Sequence, residues 1–174
     1  MNNLYTHANW SDIIASLTNG VEVTVDFNYW NSNTPGYLEI YKMWQDAKFN
    51  TASIKWTNYY PDKHFSQELV NDVAKHLQLS GIHRSWISQV DPGFFAPWHW
   101  DIDDREAEYL KKGEIKRYSI MITGPAMGHI FILGDDYYYN SPQGLIVEWE
   151  NYKEWHSGIN AGMMPKYMFH IIGY

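Results

Sequence analysis

The sequence predicts a mainly β fold with flanking helices, on the basis of three observations. From residue 85 onward, short β-branched or aromatic segments alternate with Gly, Pro, Asn and Asp. Closely spaced short strands of this kind are typical of a sandwich or a barrel. The first third instead contains segments of helical spacing, and no linker or repeat divides the 174 residues. We therefore expect one domain, in which a helical or mixed part (1–82) packs on a β-rich body (83–174).

Three segments of the first third have helical patterns: 9–20, 35–49 and 66–79. Ser11 is the expected N-cap of the first and Gly20 its end, while Ser66 is the expected N-cap of the third and Gly81 follows its end. Residues 21–27 alternate apolar and polar side chains, as a half-buried strand does.

Seven segments of the second half are predicted strands: 85–90, the stretch around His99, 116–123, 128–133, 136–140, 144–149 and 165–174. The charged stretch 102–114 interrupts them as a loop or a single helical turn.

Composition excludes several classes of function. The formal net charge of −7 argues against nucleic acid as a partner, because phosphate binding needs a basic face. The absence of cysteine excludes disulfides, thiolate zinc sites, iron–sulfur clusters and cysteine nucleophiles. Neither a secretion signal nor an apolar run of membrane-spanning length is visible, so we expect a cytoplasmic protein without a membrane partner. Any metal would be held by His, Asp or Glu, which suit Fe(II), Mn(II) or zinc.

The segment FFAPWHWDIDD (94–104) sets His99 two residues before Asp101. Residues i and i+2 of a strand share a face, so the two side chains could bind one ion. Such a pair is part of the two-His-one-carboxylate triad, which needs a second histidine from a distant strand. The pair alone is weakly specific, because a surface histidine beside a solvated acidic run explains it equally well.

Three later histidines are candidates for the second imidazole: His129, His156 and His170. His129 and His170 have ordinary explanations as strand residues. His156 follows the strand 144–149, and Lys166 begins the last strand ten positions beyond it (156 to 166). A cation so placed would lie near the metal and could hold the far carboxylate of a dicarboxylic cosubstrate.

Three blocks resemble, in order and spacing, the 2-oxoglutarate- and Fe(II)-dependent oxygenases, and most of all their aspartyl/asparaginyl β-hydroxylase-like branch. The blocks are SQVDPGFFAPWHWD (88–101), KRYSIMITG (116–124) and SPQGLIVEWENYKEWHSGINAGMMPKYMFHI (141–171). The first block resembles that branch's strand, Pro-Gly turn and His-x-Asp, and the second resembles its Arg-led strand. The third resembles its Gly-led strand, followed by the distal His, an Asn and a basic residue. The resemblance covers about residues 85–174 and implies a double-stranded β-helix (jelly-roll or cupin-like) core.

The resemblance also implies roles for individual residues. His99, Asp101 and His156 match the iron ligands. Lys166 matches a basic residue, usually arginine in this branch, that pairs with the 5-carboxylate of 2-oxoglutarate, and Ser88 matches a serine that helps to hold this carboxylate. A lysine is a point charge and not a planar fork, so its contact would be less directional.

Four further positions belong to the same comparison. Arg117 matches an arginine near the 1-carboxylate end of 2-oxoglutarate, and Asn160 matches a recurrent asparagine with a structural purpose. Ser119 departs from the branch, which often has histidine there. Strand parity puts His170 on the face of Lys166, so His170 lines the pocket if Lys166 points inward.

The implied function is a dioxygenase that uses Fe(II), 2-oxoglutarate and O₂ to hydroxylate an unactivated C–H bond and releases succinate and CO₂. Because Asp101 is present, we expect hydroxylation and not halogenation. The expected substrate is a free amino acid or similar small molecule, and the alternative is a peptide or protein side chain. Pocket lids are expected at 102–114 and 27–37. Three acidic residues near the metal would favour a substrate with an amino group: Asp103, Asp104 and Glu106.

Other readings of the same residues stay open. One is a non-catalytic cupin-like protein that binds a metal or small ligand, and another is a zinc hydrolase or isomerase with His129 or Glu154 as its acid–base group. Ser88 could be an ordinary strand serine, Arg117 a solvated residue at a strand start, and Lys166 a surface lysine. The cation at Lys166 favours the oxygenase over both rival classes.

Overall fold

Two antiparallel sheets form the body of the protein in the computed structural model, which describes residues 4–26, 35–101, 115–149 and 154–174. The strands are β1 (Val21–Thr24), β2 (Lys55–Tyr59), β3 (Ile82–Val90), β4 (Phe95–His99), β5 (Lys116–Met121), β6 (His129–Leu133), β7 (Asp136–Tyr139), β8 (Ile146–Trp149), β9 (His156–Asn160) and β10 (Lys166–Gly173). The helices are α1 (Trp10–Ser16), α2 (Pro35–Asp46) and α3 (Gln67–His76), with a 3₁₀ turn at Thr51–Ser53.

The strand order identifies the core as a double-stranded β-helix. The larger sheet runs β1-β2-β3-β10-β5-β8 and the smaller one β4-β9-β6-β7. From β3 to β10, the chain crosses between the sheets at every connection except the β6–β7 hairpin. Eight strands wound in this way form a jelly roll, and β1 and β2 extend its larger sheet. The predicted fold, mainly β with flanking helices on a jelly-roll core, is confirmed.

Strand β10 lies at the centre of the larger sheet and has two different faces. Phe169 and Ile171 belong to the main hydrophobic cluster, together with Val70 and Val73 of α3. Alternate residues of a strand point to opposite sides, so the other face of β10 is turned toward the smaller sheet. Helices α1 and α3 therefore cover one side of this sheet and leave the other to form a cavity.

Helix α1 begins and ends earlier than predicted, whereas α3 begins at its predicted cap. The side chain of Asn9, not Ser11, accepts a hydrogen bond from a backbone N–H and caps α1. Ser66 caps α3 as predicted, through a bond from the Glu68 N–H. The turn after α3 contains Gln78 with a φ of 59°, so the helix stops before Gly81 is reached. None of the helices in the described segments is long and apolar enough to cross a membrane.

Candidate metal centre

Three predicted ligands lie together at one end of the barrel. His99 is the last residue of β4 and pairs directly with His156, the first residue of β9, while Asp101 lies two residues beyond β4. One donor atom from each of the three residues can be chosen so that all lie within 4.8 Å of one another. Within the described segments, this is the one group of three or more such side chains that could hold a metal ion.

Backbone carbonyls fix both imidazole rings. His99 Nδ1 lies 2.6 Å from the Pro97 carbonyl oxygen, and His156 Nδ1 lies 3.0 Å from that of Glu154. A carbonyl can only accept, so each Nδ1 carries the proton and each Nε2 keeps its lone pair for a metal. Metal-binding histidines usually have such a second contact, which fixes tautomer and orientation. The donor set therefore fits a divalent ion such as Fe(II), Mn(II) or zinc.

Burial and neighbouring charges keep His99 and Asp101 in the protonation states that bind a cation. Burial, supported by His156, lowers the pKa of His99 to about 3, so its ring is neutral. Burial alone would raise the pKa of Asp101, but His156, Arg84, His99 and Arg117 together lower it to about 2. The carboxylate is therefore ionised at every physiological pH.

A cavity of about 420 Å³ lies between the two sheets and includes all three candidate ligands in its wall. Much of the remaining wall is aromatic: Tyr37, Trp56, Tyr60, Trp86, Trp100, Tyr118, Phe131 and Trp149. A largely apolar cavity of this size with a few convergent polar groups is typical of a small-molecule site.

Arg117 lies in the cavity wall as a buried residue of β5. Its Nε is 3.7 Å from Asp101 Oδ2, while His156 Nε2 is 3.8 Å from Asp101 Oδ1. Arg117 therefore contacts one carboxylate oxygen of Asp101, and His156 lies closer to the other. A solvated position at a strand start does not describe this residue, because only 2% of its surface is exposed.

Lys166 is 3% exposed and donates a hydrogen bond from its amine to the carbonyl oxygen of Ile130. Burial lowers the pKa of this lysine to about 7. Lys166 is not among the described residues that line the large cavity. However, a Cβ atom added to the cavity residue Gly158 would lie 3.8 Å from the Lys166 Nζ. The amine therefore lies just behind the cavity wall, and the surface alternative is wrong.

Ser88 lies in the cavity wall, and its hydroxyl is 2.8 Å from His170 Nε2. The other ring nitrogen, Nδ1, is 2.8 Å from the hydroxyl of Ser119. Trp86 stacks on the same ring, with centroids 4.7 Å apart and planes at 17°. His170 lines the cavity, and Ser119 is fully buried behind it.

Asn160 connects neighbouring strands through its side-chain amide. Its amide nitrogen donates to the carbonyl oxygens of Val90 and Met164, and its amide oxygen accepts from the N–H of Gly162. These bonds join β3 to the turn between β9 and β10. His129 bonds to the carbonyl oxygen of Met164 and does not belong to the metal-binding group.

Three residues that were not predicted from the sequence also line the cavity: Arg84, Trp86 and Asn58. A parity argument could have found the first two, because they precede Ser88 on β3 by four and two residues. Arg84 and Arg117 both pair with Ile172, from opposite sides of β10, and the Arg84 guanidinium lies 4.9 Å from the Trp86 ring centroid. Asn58 is placed opposite Ser88 by the register of β2 and β3.

Several expectations concern residues outside the described segments. The predicted lid at 102–114 lies there entirely, with the acidic residues Asp103, Asp104 and Glu106. Of the second predicted lid (27–37), residues 27–34 also lie there. Tyr37 of α2 is described and lines the cavity.

No protein-family model matches the sequence, and no curated protein is significantly similar to it. Among solved structures, a Pseudomonas putida prolyl-4-hydroxylase is 14% identical with a TM-score of 0.45, over 94% of this chain and 98% of that one. A predicted oxalate decarboxylase from Thermotoga maritima is 12% identical with a TM-score of 0.42, over 68% of this chain and 80% of that one. The plu4264 protein from Photorhabdus luminescens is 13% identical with a TM-score of 0.37, over 52% of this chain and 61% of that one. At this distance the likeness carries no conclusion about activity.

Proposed function

We propose that this protein is a dioxygenase that uses Fe(II) and 2-oxoglutarate to hydroxylate an aliphatic C–H bond of a small molecule. The observation that carries the proposal is the convergence of His99, Asp101 and His156 on the wall of a cavity of about 420 Å³. Two imidazoles and one carboxylate with adjoining open space are the donor set of non-haem Fe(II) oxygenases. A structural zinc site would have a fourth protein ligand, and the described residues offer three.

Fe(II), when bound, supplies the redox chemistry by which 2-oxoglutarate, O₂ and R–H become succinate, CO₂ and R–OH. The protein residues hold and orient the reactants around this centre. Arg117 fixes the Asp101 carboxylate through their 3.7 Å contact and adds positive charge near the ion for a cosubstrate carboxylate. With cosubstrate and substrate bound, the aromatic wall would limit the contact of the reacting groups with water and so strengthen these electrostatic contacts.

We propose that Lys166 binds the 5-carboxylate of 2-oxoglutarate and that Ser88 helps to hold the same carboxylate. The lysine is buried, and it shares a face of β10 with the cavity residues Met168 and His170. To reach the ligand, its amine would have to leave the Ile130 carbonyl and pass beside Gly158. A carboxylate in this position would supply the counter-charge that favours the protonated amine.

The primary substrate is proposed to be a free amino acid or similar small molecule. Aromatic side chains form much of the cavity wall, and 2-oxoglutarate would occupy the part that faces Ser88 and Met168. Tyr37, Trp56 and Tyr60 also line the cavity and would suit the apolar side chain of such a substrate. A peptide or protein side chain is the alternative substrate.

The test begins without oxygen. Addition of Fe(II) and then 2-oxoglutarate to the purified chain should produce a weak visible charge-transfer band, because the cosubstrate chelates the ion. In air, succinate should form with a panel of free amino acids and short peptides as candidate substrates. The variant Asp101→Ala should give neither signal, whereas Lys166→Arg should retain both, because it keeps the cation.

The outcomes distinguish the two classes. A charge-transfer band with succinate formation supports the dioxygenase. Binding of Fe(II) without any interaction with 2-oxoglutarate would instead support a non-catalytic cupin-like protein. Succinate formation that persists in Asp101→Ala would contradict the ligand assignment.

A further inference from the structure

The hydrogen-bond chain Ser88–His170–Ser119 has a direction that can be derived from its chemistry. His170 contacts one hydroxyl through each ring nitrogen, both at 2.8 Å. Burial lowers the pKa of His170 to about 3, so the ring is neutral and carries a single N–H. One serine must therefore donate to the ring, and the other must accept from it.

The buried end of the chain decides between the two directions. If Ser88 donated to Nε2, then Nδ1–H would donate to Ser119, and the Ser119 proton would need another acceptor. Ser119 is fully buried, and its hydroxyl bonds to nothing else among the described residues. A buried donor without an acceptor is costly, so this direction is disfavoured.

The opposite direction leaves no donor unsatisfied. Ser119 donates to Nδ1, Nε2–H donates to the Ser88 oxygen, and the Ser88 proton points into the cavity, where a ligand or water can accept it. Trp86 stacks on the imidazole and holds the plane of the ring in place. We propose that Ser119 and His170 are positioning residues that make Ser88 a hydrogen-bond donor to a carboxylate oxygen of 2-oxoglutarate. The identity of this ligand rests on the proposed function, whereas the direction of the chain does not.

The direction is measured by NMR of the full chain labelled with ¹⁵N-histidine, first without added metal and then with diamagnetic Zn(II). The signals of His170 are assigned by their absence in His170→Asn, or from contacts with Trp86 protons if that variant does not fold. We expect the proton on Nε2 and none on Nδ1. A proton on Nδ1, or on both nitrogens, would overturn the proposal.

Binding of 2-oxoglutarate to the Fe(II)-loaded chain without oxygen provides the second measurement. Ser88→Ala should weaken binding about tenfold, because a hydrogen bond to a charged group is lost. Ser119→Ala should weaken binding about threefold, and the double variant should resemble Ser88→Ala alone, because Ser119 acts only through Ser88. Additive losses would show that Ser119 has a purely structural role and would overturn the proposal.

A matched control is Ser157→Ala. Ser157 is a buried strand serine whose hydroxyl donates to the Ala96 carbonyl oxygen, and it is not among the described residues that line the cavity. Its loss should reduce stability without a change in 2-oxoglutarate affinity. If even the unsubstituted chain fails to bind 2-oxoglutarate, the proposed function fails, and the NMR measurement still decides the direction of the chain.

Discussion

His99 and His156 lie directly opposite each other on neighbouring antiparallel strands, and their ring centroids are 4.3 Å apart. They are separated by more than fifty residues in the sequence, yet they are cross-strand neighbours in the smaller sheet. Asp101 completes the group because the chain leaves β4 just before it. The register of one strand pair thus builds most of the candidate metal centre.

Removal of Asp101 should abolish tight metal binding. The variant Asp101→Ala takes away the one carboxylate of the group and also the charge that Arg117 contacts. We expect affinity for Fe(II) to fall by more than about 100-fold, since loss of even an outer partner of a ligand costs about 10–100-fold. Anaerobic titration with Fe(II) measures this change. Asp136→Ala, at an exposed position of β7, should bind the ion normally.

The size of residue 158 should control access to Lys166. A Cβ atom at Gly158 would make an ordinary contact of 3.8 Å with the lysine Nζ, so Gly158→Ala should be tolerated. Gly158→Leu adds a side chain that fills the space between the cavity and the amine. We expect Gly158→Leu to raise the KM for 2-oxoglutarate at least tenfold while Fe(II) affinity is retained. Equal KM values in the two variants would argue against Lys166 as the anchor.

Lys166 should make the stability of the protein depend on pH. Its pKa is about 7 in the folded chain and 10.5 as a model value, so between these limits only the unfolded chain binds the proton. The free energy of unfolding should therefore rise with pH from about 7 to 10.5, by at most ~1.4 kcal/mol per pH unit. Below pH 7 this contribution is constant. Urea unfolding across this range should show the rise in the natural chain, and Lys166→Met should lack it.

Gly128 should be irreplaceable for a structural reason. Its φ is +85°, and an added Cβ would lie 2.2 Å from the backbone nitrogen of Gly162 in the turn between β9 and β10. Gly128→Ala should lower the free energy of unfolding by about 2 kcal/mol or more. Gly124→Ala is the matched control, because its nearest contact would be 4.0 Å away. Thermal and urea unfolding of both variants check this expectation.

Most of the strands could be predicted from the sequence, but β9 of the barrel and β2 beside it could not. On one face of β9, His156 and Gly158 line the cavity and Asn160 bonds to neighbouring backbone, so this face gives no apolar alternation. In β2 the inward position between Trp56 and Tyr60 is the polar residue Asn58, which interrupts the pattern in the same way. Neither strand was predicted, because polar residues or glycine take the inward positions at which a strand usually has hydrophobic side chains.

The candidate site was predictable to a similar degree. The spacing of His99 and Asp101 indicated a metal site, and the resemblance supplied His156 and Lys166. The bond of the Lys166 amine to the Ile130 carbonyl depends on the distance between two sheets, which no local pattern contains. The position of Ser119 behind His170 likewise depends on the register of β5 and β10.

Strand β2 adds Trp56 and Asn58 to the cavity wall, although it lies outside the eight strands of the jelly roll. Part of the cavity wall therefore comes from residues before position 82, whereas all three candidate metal ligands come after it. Under the proposed function, substitutions upstream of residue 82 alone should change substrate preference. A chimaera in which only residues 1–81 are replaced by the corresponding segment of a related protein should keep its affinity for Fe(II). Its preferred substrate should change.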